Sequence, residues 1–205
     1  VITSLIFDFD GVIGLSRELA WEAGRDILRV FGRDTAITSM REHRRVFGRE
    51  AQEAIVGPER TEVLREIHRL AMREKASRIP AYDNLLNLLP ELKCPIGIIT
   101  AGYAQTARRC LGDKVCAFSF VRGREDGGKT GLLGACRVGE FSSPVYVCDT
   151  VRDIRRCHEV SLPVCATAWD HAYDEFDDLA AEQPDWVVRD LQELTNLLRK
   201  LHLLL

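Results

Sequence analysis

The segment Leu5-Ile6-Phe7-Asp8-Phe9-Asp10-Gly11-Val12-Ile13 sets two carboxylates two positions apart at the end of an apolar run. In extended backbone such residues point to one side, so Asp8 and Asp10 would share a space. Burying carboxylates that close together is costly unless a cation or a proton compensates. The pattern therefore asks for a metal or for acid–base chemistry, and Gly11 lets the chain turn away sharply just beyond it. Asp and Gly are also ordinary turn residues, so the pair gains meaning only with partners elsewhere. Candidate partners are Ile98-Ile99-Thr100-Ala101-Gly102, Val147-Cys148-Asp149-Thr150-Val151-Arg152-Asp153, and the lysine of Gly127-Gly128-Lys129-Thr130.

Each partner also has a plain structural reading. Thr100 is β-branched and suits a strand. Asp149 could cap the next helix, and Asp153 would sit favourably in its first turn. Lys129 could be a solvated lysine in a glycine-rich loop. Gly123 and Gly128-Lys129-Thr130 match the spacing of a nucleotide-binding phosphate loop. No long helix is evident after it, however, and Gly131 and Gly134 interrupt the segment, so that reading is set aside.

These residues need elements to hold them. Apolar runs recur at Ile2 to Phe9, Pro95 to Thr100, Val115 to Val121, Val145 to Cys148 and Pro163 to Ala168, with a short one at Trp186 to Val188. Their continuous hydrophobicity is that of strands covered on both faces. Helical patterns over Asp83–Leu92, Ala104–Leu111, Asp153–Glu159 and Leu191–Leu201 alternate with them, which predicts an α/β parallel sheet with right-handed crossovers. From Gly14 to about Ala81 there is no good strand, only Arg- and Glu-rich amphipathic stretches at Glu18–Phe31, Thr38–Val46 and Pro58–Lys75. The expected organisation is a Rossmann-like core over residues 1–14 and 82–205, with a small α-helical cap over 15–81 inserted after the first strand.

In order and spacing the chain resembles the haloacid dehalogenase superfamily, in its phosphatase branch with a helical cap. Asp8-Phe9-Asp10-Gly11-Val12 matches that family's first motif, and Ile98-Ile99-Thr100-Ala101-Gly102 its second. Lys129 matches its third, and Asp149 with Asp153 its fourth. Trp169-Asp170-His171 and Pro184-Asp185-Trp186-Val187-Val188 are similar to phosphoglycolate-phosphatase-like members.

The resemblance implies that Asp8 attacks phosphorus to form an aspartyl phosphate, with Asp10 as general acid and then base. It implies that Thr100, Ala101, Gly102 and Lys129 hold the phosphoryl oxygens. Mg²⁺ would be held by Asp8, the Asp10 carbonyl and Asp149, with Asp153 helping through a water or by orienting Lys129. The chain departs from the family at Leu15-Ser16, where an Asp-Ser pair is common, and at Cys148 and Thr130. None of these removes a charge that the chemistry needs. Arg41, Arg44, Arg45 and Arg49 are candidates for a second anionic group on the substrate, and equally for a solvated helix face. His43, His68, His158 and His202 show no constellation. Trp169 and Trp186 read as packing residues.

The expected substrate is a small phosphorylated metabolite: phosphoglycolate, a sugar phosphate or a nucleotide. A phosphomutase of the same fold, or a non-catalytic binding protein that kept the fold, are the alternatives. A dehalogenase would have no use for a metal or for an acid at position 10. The 205 residues carry a net charge of −3, which gives no electrostatic reason to expect nucleic acid or an anionic membrane. No apolar run approaches membrane-spanning length. Seven cysteines without CxxC spacing suggest reduced thiols, and with them a cytoplasmic protein.

Overall fold

The computed structural model describes residues 2–33 and 49–204. Six parallel strands form one sheet: β1 (Ser4–Phe7), β2 (Ile96–Ile99), β3 (Phe120–Arg122), β4 (Pro144–Cys148), β5 (Val164–Thr167) and β6 (Trp186–Val188), in the order β3-β2-β1-β4-β5-β6. The central strands β1, β2, β4 and β5 are buried at every residue, as their unbroken hydrophobicity predicts. This is the Rossmann-like α/β architecture expected. Leu5, Phe7, Ile98, Val145 and Val147 pack into the core on one face of the sheet. Ile6, Ile99, Tyr146, Cys148 and Val164 pack on the other. Alternation of side-chain direction along each strand produces this division.

Among the described residues the helices are α1 (Arg17–Val30), α2 (Arg49–Val56), α3 (Pro58–Glu74), α4 (Asp83–Leu88), α5 (Ala104–Leu111), α6 (Lys129–Ala135), α7 (Val151–Glu159), α8 (Phe176–Ala181) and α9 (Leu191–Lys200). The first four lie between β1 and β2. Helix α1 turns Leu19, Ala20 and Ala23 to the main core, while its Ile27 and Leu28 join Val56 of α2 and Leu64 of α3 in a small cluster of their own. The chain leaves the sheet and returns to it side by side. The Leu15 N–H donates to the Pro80 carbonyl at 2.8 Å, and the Tyr82 N–H donates to the Ile13 carbonyl at 2.7 Å.

Three expectations need correction or comment. The run from Val115 to Val121 is not one strand: Gly112–Ala117 forms a 3₁₀ turn, and pairing with β2 begins only at Phe120. Cys116 and Ala117 are exposed there, so the apolar letters mark no two-sided burial. A helix does follow Gly128, although Gly131 and Gly134 lie inside it. It is seven residues long, and buried Leu132 and Leu133 offset the cost of the glycines. Helix α2 was not anticipated, and the stretch Thr38–Val46 lies outside the described residues.

Candidate active site

Strand β1 delivers Asp8 and Asp10 to the carboxyl end of the sheet between β1 and β4, where the strand order reverses. Open parallel sheets place ligands at such a point. Asp8 continues the ladder, its N–H donating to the Val147 carbonyl at 2.8 Å. Its side chain is buried, with Oδ1 accepting the Phe9 N–H at 2.7 Å and Oδ2 lying 2.8 Å from Lys129 Nζ. Asp10 is partly exposed, and its Oδ2 accepts from Thr100 Oγ1 at 3.4 Å. Thr100 Oγ1 in turn accepts the Gly102 N–H at 3.0 Å.

Lys129 opens α6, buried to 7% exposure, and reaches both Asp8 and Asp153, the latter at 2.6 Å. The solvated-loop reading of this lysine does not hold. Asp153 commits its other oxygen to Arg156 Nη1 at 2.8 Å. Asp149 is not a helix cap: Thr150 caps α7, its Oγ1 accepting the Asp153 N–H at 3.3 Å, and leaves Asp149 turned inward. Asp149 Oδ2 accepts the Tyr173 N–H at 2.6 Å, while its Oδ1 is buried with no hydrogen-bond partner. Gly11, at φ +75, passes directly in front of that carboxylate.

Burial dominates the titration here. It raises Asp8 well above the ordinary carboxylate value; Lys129 opposes the rise, and Asp153 and Asp10 add to it. Burial and then Asp8 push Asp149 up strongly. Burial also raises Asp10, with Ser16, Lys129, His68 and Thr100 opposing. For Asp153 burial is outweighed by Lys129, Asp8 and Arg156, which hold its carboxyl below the usual range. Lys129 is raised, because Asp153 and Asp8 overcome its own desolvation.

The buried charges do not balance. Among the described residues the three buried carboxylates Asp8, Asp149 and Asp153 are set against buried Lys129, on Asp8 and Asp153, and partly exposed Arg156, on Asp153. A cation would supply the missing charge and a partner for the orphaned Asp149 Oδ1. No cage of three His, Cys, Asp or Glu side chains exists among the described residues. Mg²⁺ does not require one, since it keeps several waters and is commonly held by one or two carboxylates. The residues present therefore fit such an ion.

A cavity of about 480 Å³ opens over these groups. It brings together Asp8, Asp10, Ala101, Gly102, Lys129 and Asp153 from the sequence-based set. Thr100 reaches it through its bond to Asp10, and Asp149 lies behind Gly11. Arg41, Arg44 and Arg45 lie outside the described residues, as does the side chain of Arg49. Sequence reasoning missed the far wall, formed by Arg65, His68, Arg69 and Met72 of α3. Their i, i+3, i+4, i+7 spacing puts them on one helix face, but three of the four are polar, so no apolar period marks that face in the sequence. His68 is held with Nε2 3.1 Å from the Ala20 carbonyl oxygen, and burial lowers its pKa. Tyr173, whose hydroxyl is 3.2 Å from Ser16 Oγ, closes the wall near Asp10. No motif announced it. Arg152 also lines the cavity and makes no ion pair among the described residues.

Residues 5–167 match the model of the haloacid dehalogenase-like hydrolase family. No curated protein matches the sequence. Among solved structures, a haloacid dehalogenase-like hydrolase from Streptococcus pneumoniae aligns with a TM-score of 0.80 at 18% identity, covering 96% of this chain and 98% of that one. A predicted phosphatase from Clostridium acetobutylicum aligns at 0.81 and 16% identity, covering 98% and 99%. A protein provisionally assigned as a phosphoglycolate phosphatase, from Lactobacillus plantarum, aligns at 0.74 and 12% identity, covering 96% and 100%. The α/β sheet and the family match place this chain among the haloacid dehalogenase-like hydrolases. No helix among the described residues is long and apolar enough to cross a membrane.

Proposed function

We propose that the protein is a Mg²⁺-dependent phosphatase acting on a small phosphorylated metabolite through an aspartyl phosphate on Asp8. The observation that carries this reading is the buried Asp8–Lys129–Asp153 chain at the carboxyl end of β1, with Asp10 and Thr100 beside it at the same cavity. Mg²⁺, when bound by Asp8, the Asp10 carbonyl and Asp149, would supply the positive charge that lets phosphate and carboxylate approach each other. Lys129 favours the ionised form of Asp8, offers a proton to a phosphoryl oxygen, and offsets charge as it develops. Asp153, with one oxygen on Lys129 and the other on Arg156, orients the lysine, which selects one of the two roles open to it. Thr100 Oγ1 and the N–H groups of Ala101 and Gly102 cradle the phosphoryl oxygens, the Thr100 hydroxyl and the Gly102 N–H exchanging their bonds to Asp10 and Thr100 for the substrate.

Asp10 stands on the other side of Thr100, with a pKa raised by burial, and can therefore carry a proton to the leaving alcohol. The same carboxylate then takes a proton from the water that cleaves the acyl phosphate. Residues 15–81 act as the cap that closes over the cavity, with α3 as its inner wall. The paired crossings at Leu15–Pro80 and Ile13–Tyr82 support that division. A cavity of this size suits a metabolite such as phosphoglycolate, a sugar phosphate or a nucleotide.

The test is hydrolysis of an aryl phosphate and a panel of phosphorylated metabolites, with and without Mg²⁺, on the wild type and Asp8→Asn. Metal-dependent turnover that disappears in Asp8→Asn is the expected result. Silence of the wild type across the panel would overturn the phosphatase reading.

A further inference from the structure

Helix α3 meets the sheet through a polar contact beside the phosphate-binding loop. Tyr103 Oη donates to Glu66 Oε1. Arg124 Nη2 lies 3.2 Å from Glu62 Oε1 and 3.3 Å from Glu66 Oε2. Arg69, on the same helix, reaches those carboxylates at 2.7 and 2.8 Å and fixes their direction. The Arg73 guanidinium stands over the Tyr103 ring, 5.3 Å from its centroid. Two arginines and one phenol thus converge on two carboxylates, one helical turn apart.

On the sheet side, the contact lands on the loop after β2. Tyr103 directly follows Gly102, and the Arg124 N–H donates to the Gly102 carbonyl at 2.8 Å. Gly123 packs so tightly there that a Cβ would stand 2.2 Å from the Ala104 nitrogen and 2.8 Å from the Gly102 oxygen. Glu125 accepts the Ala104 N–H at 3.0 Å. Residues 102–104 and 123–125 are thereby one rigid seat. Glu66, Tyr103 and Arg124 are not among the residues lining the cavity, so their effect on substrate must pass through the position of Gly102 and of α3.

We propose that Glu66 is a positioning residue, which through Tyr103 and Arg124 registers helix α3 against the Gly102 loop and holds the helical layer seated over the site. This rests on the reading of Ala101 and Gly102 as the phosphate cradle. The ion pairs are half exposed, individually weak and screened by salt. Such a contact suits a layer that must lift for product to leave. Loss of it lowers the seated fraction, and apparent affinity falls by that same fraction.

The experiment compares wild type, Glu66→Gln, Tyr103→Phe and Arg124→Gln. KM for the best substrate of the panel should rise about threefold to tenfold in each variant, with kcat changed less than about twofold. Raising NaCl should increase KM more steeply in the wild type than in Arg124→Gln, because only the former has the pair to screen. Hydrogen exchange on the metal-free proteins should show faster amides in α3 and at residues 102–104 of Glu66→Gln, with β1 and β4 unchanged. An unchanged KM, parallel salt dependence, or exchange identical to wild type would each overturn the proposal. If no protein hydrolyses any ester, the phosphatase reading falls, and exchange alone decides whether the seat exists.

Discussion

A Cβ on Gly11 would stand 1.9 Å from Asp149 Oδ2, so the turn after β1 and the carboxylate at the end of β4 occupy mutually exclusive space for any other residue. Gly11 also has φ +75, which L side chains rarely adopt. Gly11→Ala should therefore displace Asp149 and strain the turn together. Mg²⁺-dependent activity should fall by at least about 100-fold, because geometry at a reacting centre tolerates roughly 1 Å. Isothermal titration with Mg²⁺ should show weakened binding in parallel.

Lys129 is shared by two buried carboxylates, and its removal leaves Asp8 without its cation and Asp153 with Arg156 alone. Lys129→Met should destabilise the fold by about 3–5 kcal/mol, as expected when one partner of a buried ion pair is deleted. Urea unfolding checks this. Lys129→Met/Asp153→Asn should recover part of the loss without recovering activity.

Asp149 gives a pH prediction with a definite sign. Its folded-state pKa is raised above the ordinary 3.8 by burial and by Asp8. Stability from such a group is fully present below that ordinary value and is lost as pH rises through the folded pKa. The metal-free protein should thus lose stability upward from about pH 4, and Mg²⁺ should restore it. Asp149→Asn should melt higher than wild type at pH 7.5 without metal, and should show no thermal shift on adding Mg²⁺. A melting curve that falls equally with pH in Asp149→Asn would count against this assignment. Asp153, whose pKa is lowered, acts oppositely, and its contribution is lost only as pH falls below the carboxylate range.

Asp10→Asn should lower kcat by about 10²–10⁴ for alkyl phosphates, the usual contribution of a positioned acid–base group. A nitrophenyl ester, whose leaving group needs no proton, should suffer less in the phosphorylation step. Burst kinetics with that ester should then show an accumulating phosphoenzyme. Equal losses on both esters, without a burst, would remove Asp10 from the acid role.

Tyr146 → Phe tests the support beneath the site. The buried Tyr146 hydroxyl donates to the Ile99 carbonyl at 2.9 Å, next to Thr100, and its ring lies 5.4 Å from Lys129 Nζ. Loss of the hydroxyl should cost about 1–2 kcal/mol in urea unfolding. KM should rise slightly, through a looser Thr100.

The sheet was legible because continuous burial writes itself as continuous hydrophobicity, and the ends of β1, β2 and β4 could be read from the polar residues that stop them. Lys129 is different in kind. Its glycine-rich surroundings read as solvent, and only the tertiary approach of Asp8 and Asp153 buries it. Tyr173 contributes through its backbone N–H to Asp149, a role almost any residue type could fill, so no letter betrays it. The α3 wall was hidden for the reverse reason. Arg65, His68 and Arg69 are polar residues facing inward, and a hydrophobic period cannot reveal a polar-lined face.

The side-by-side crossings at Leu15–Pro80 and Ile13–Tyr82 carry one more consequence. A chain that departs and comes back through adjacent points imposes no length or shape on what lies between them. The strand order and the registers of β1 with β2 and β4 are set by the strands themselves, and the segment threaded through that doorway must still supply the core residues Leu19, Ala20, Ala23 and Met72. On the proposed reading of residues 15–81 as a cap, that segment can change in length between those two points, provided it keeps the contacts by which α3 meets the Gly102 loop.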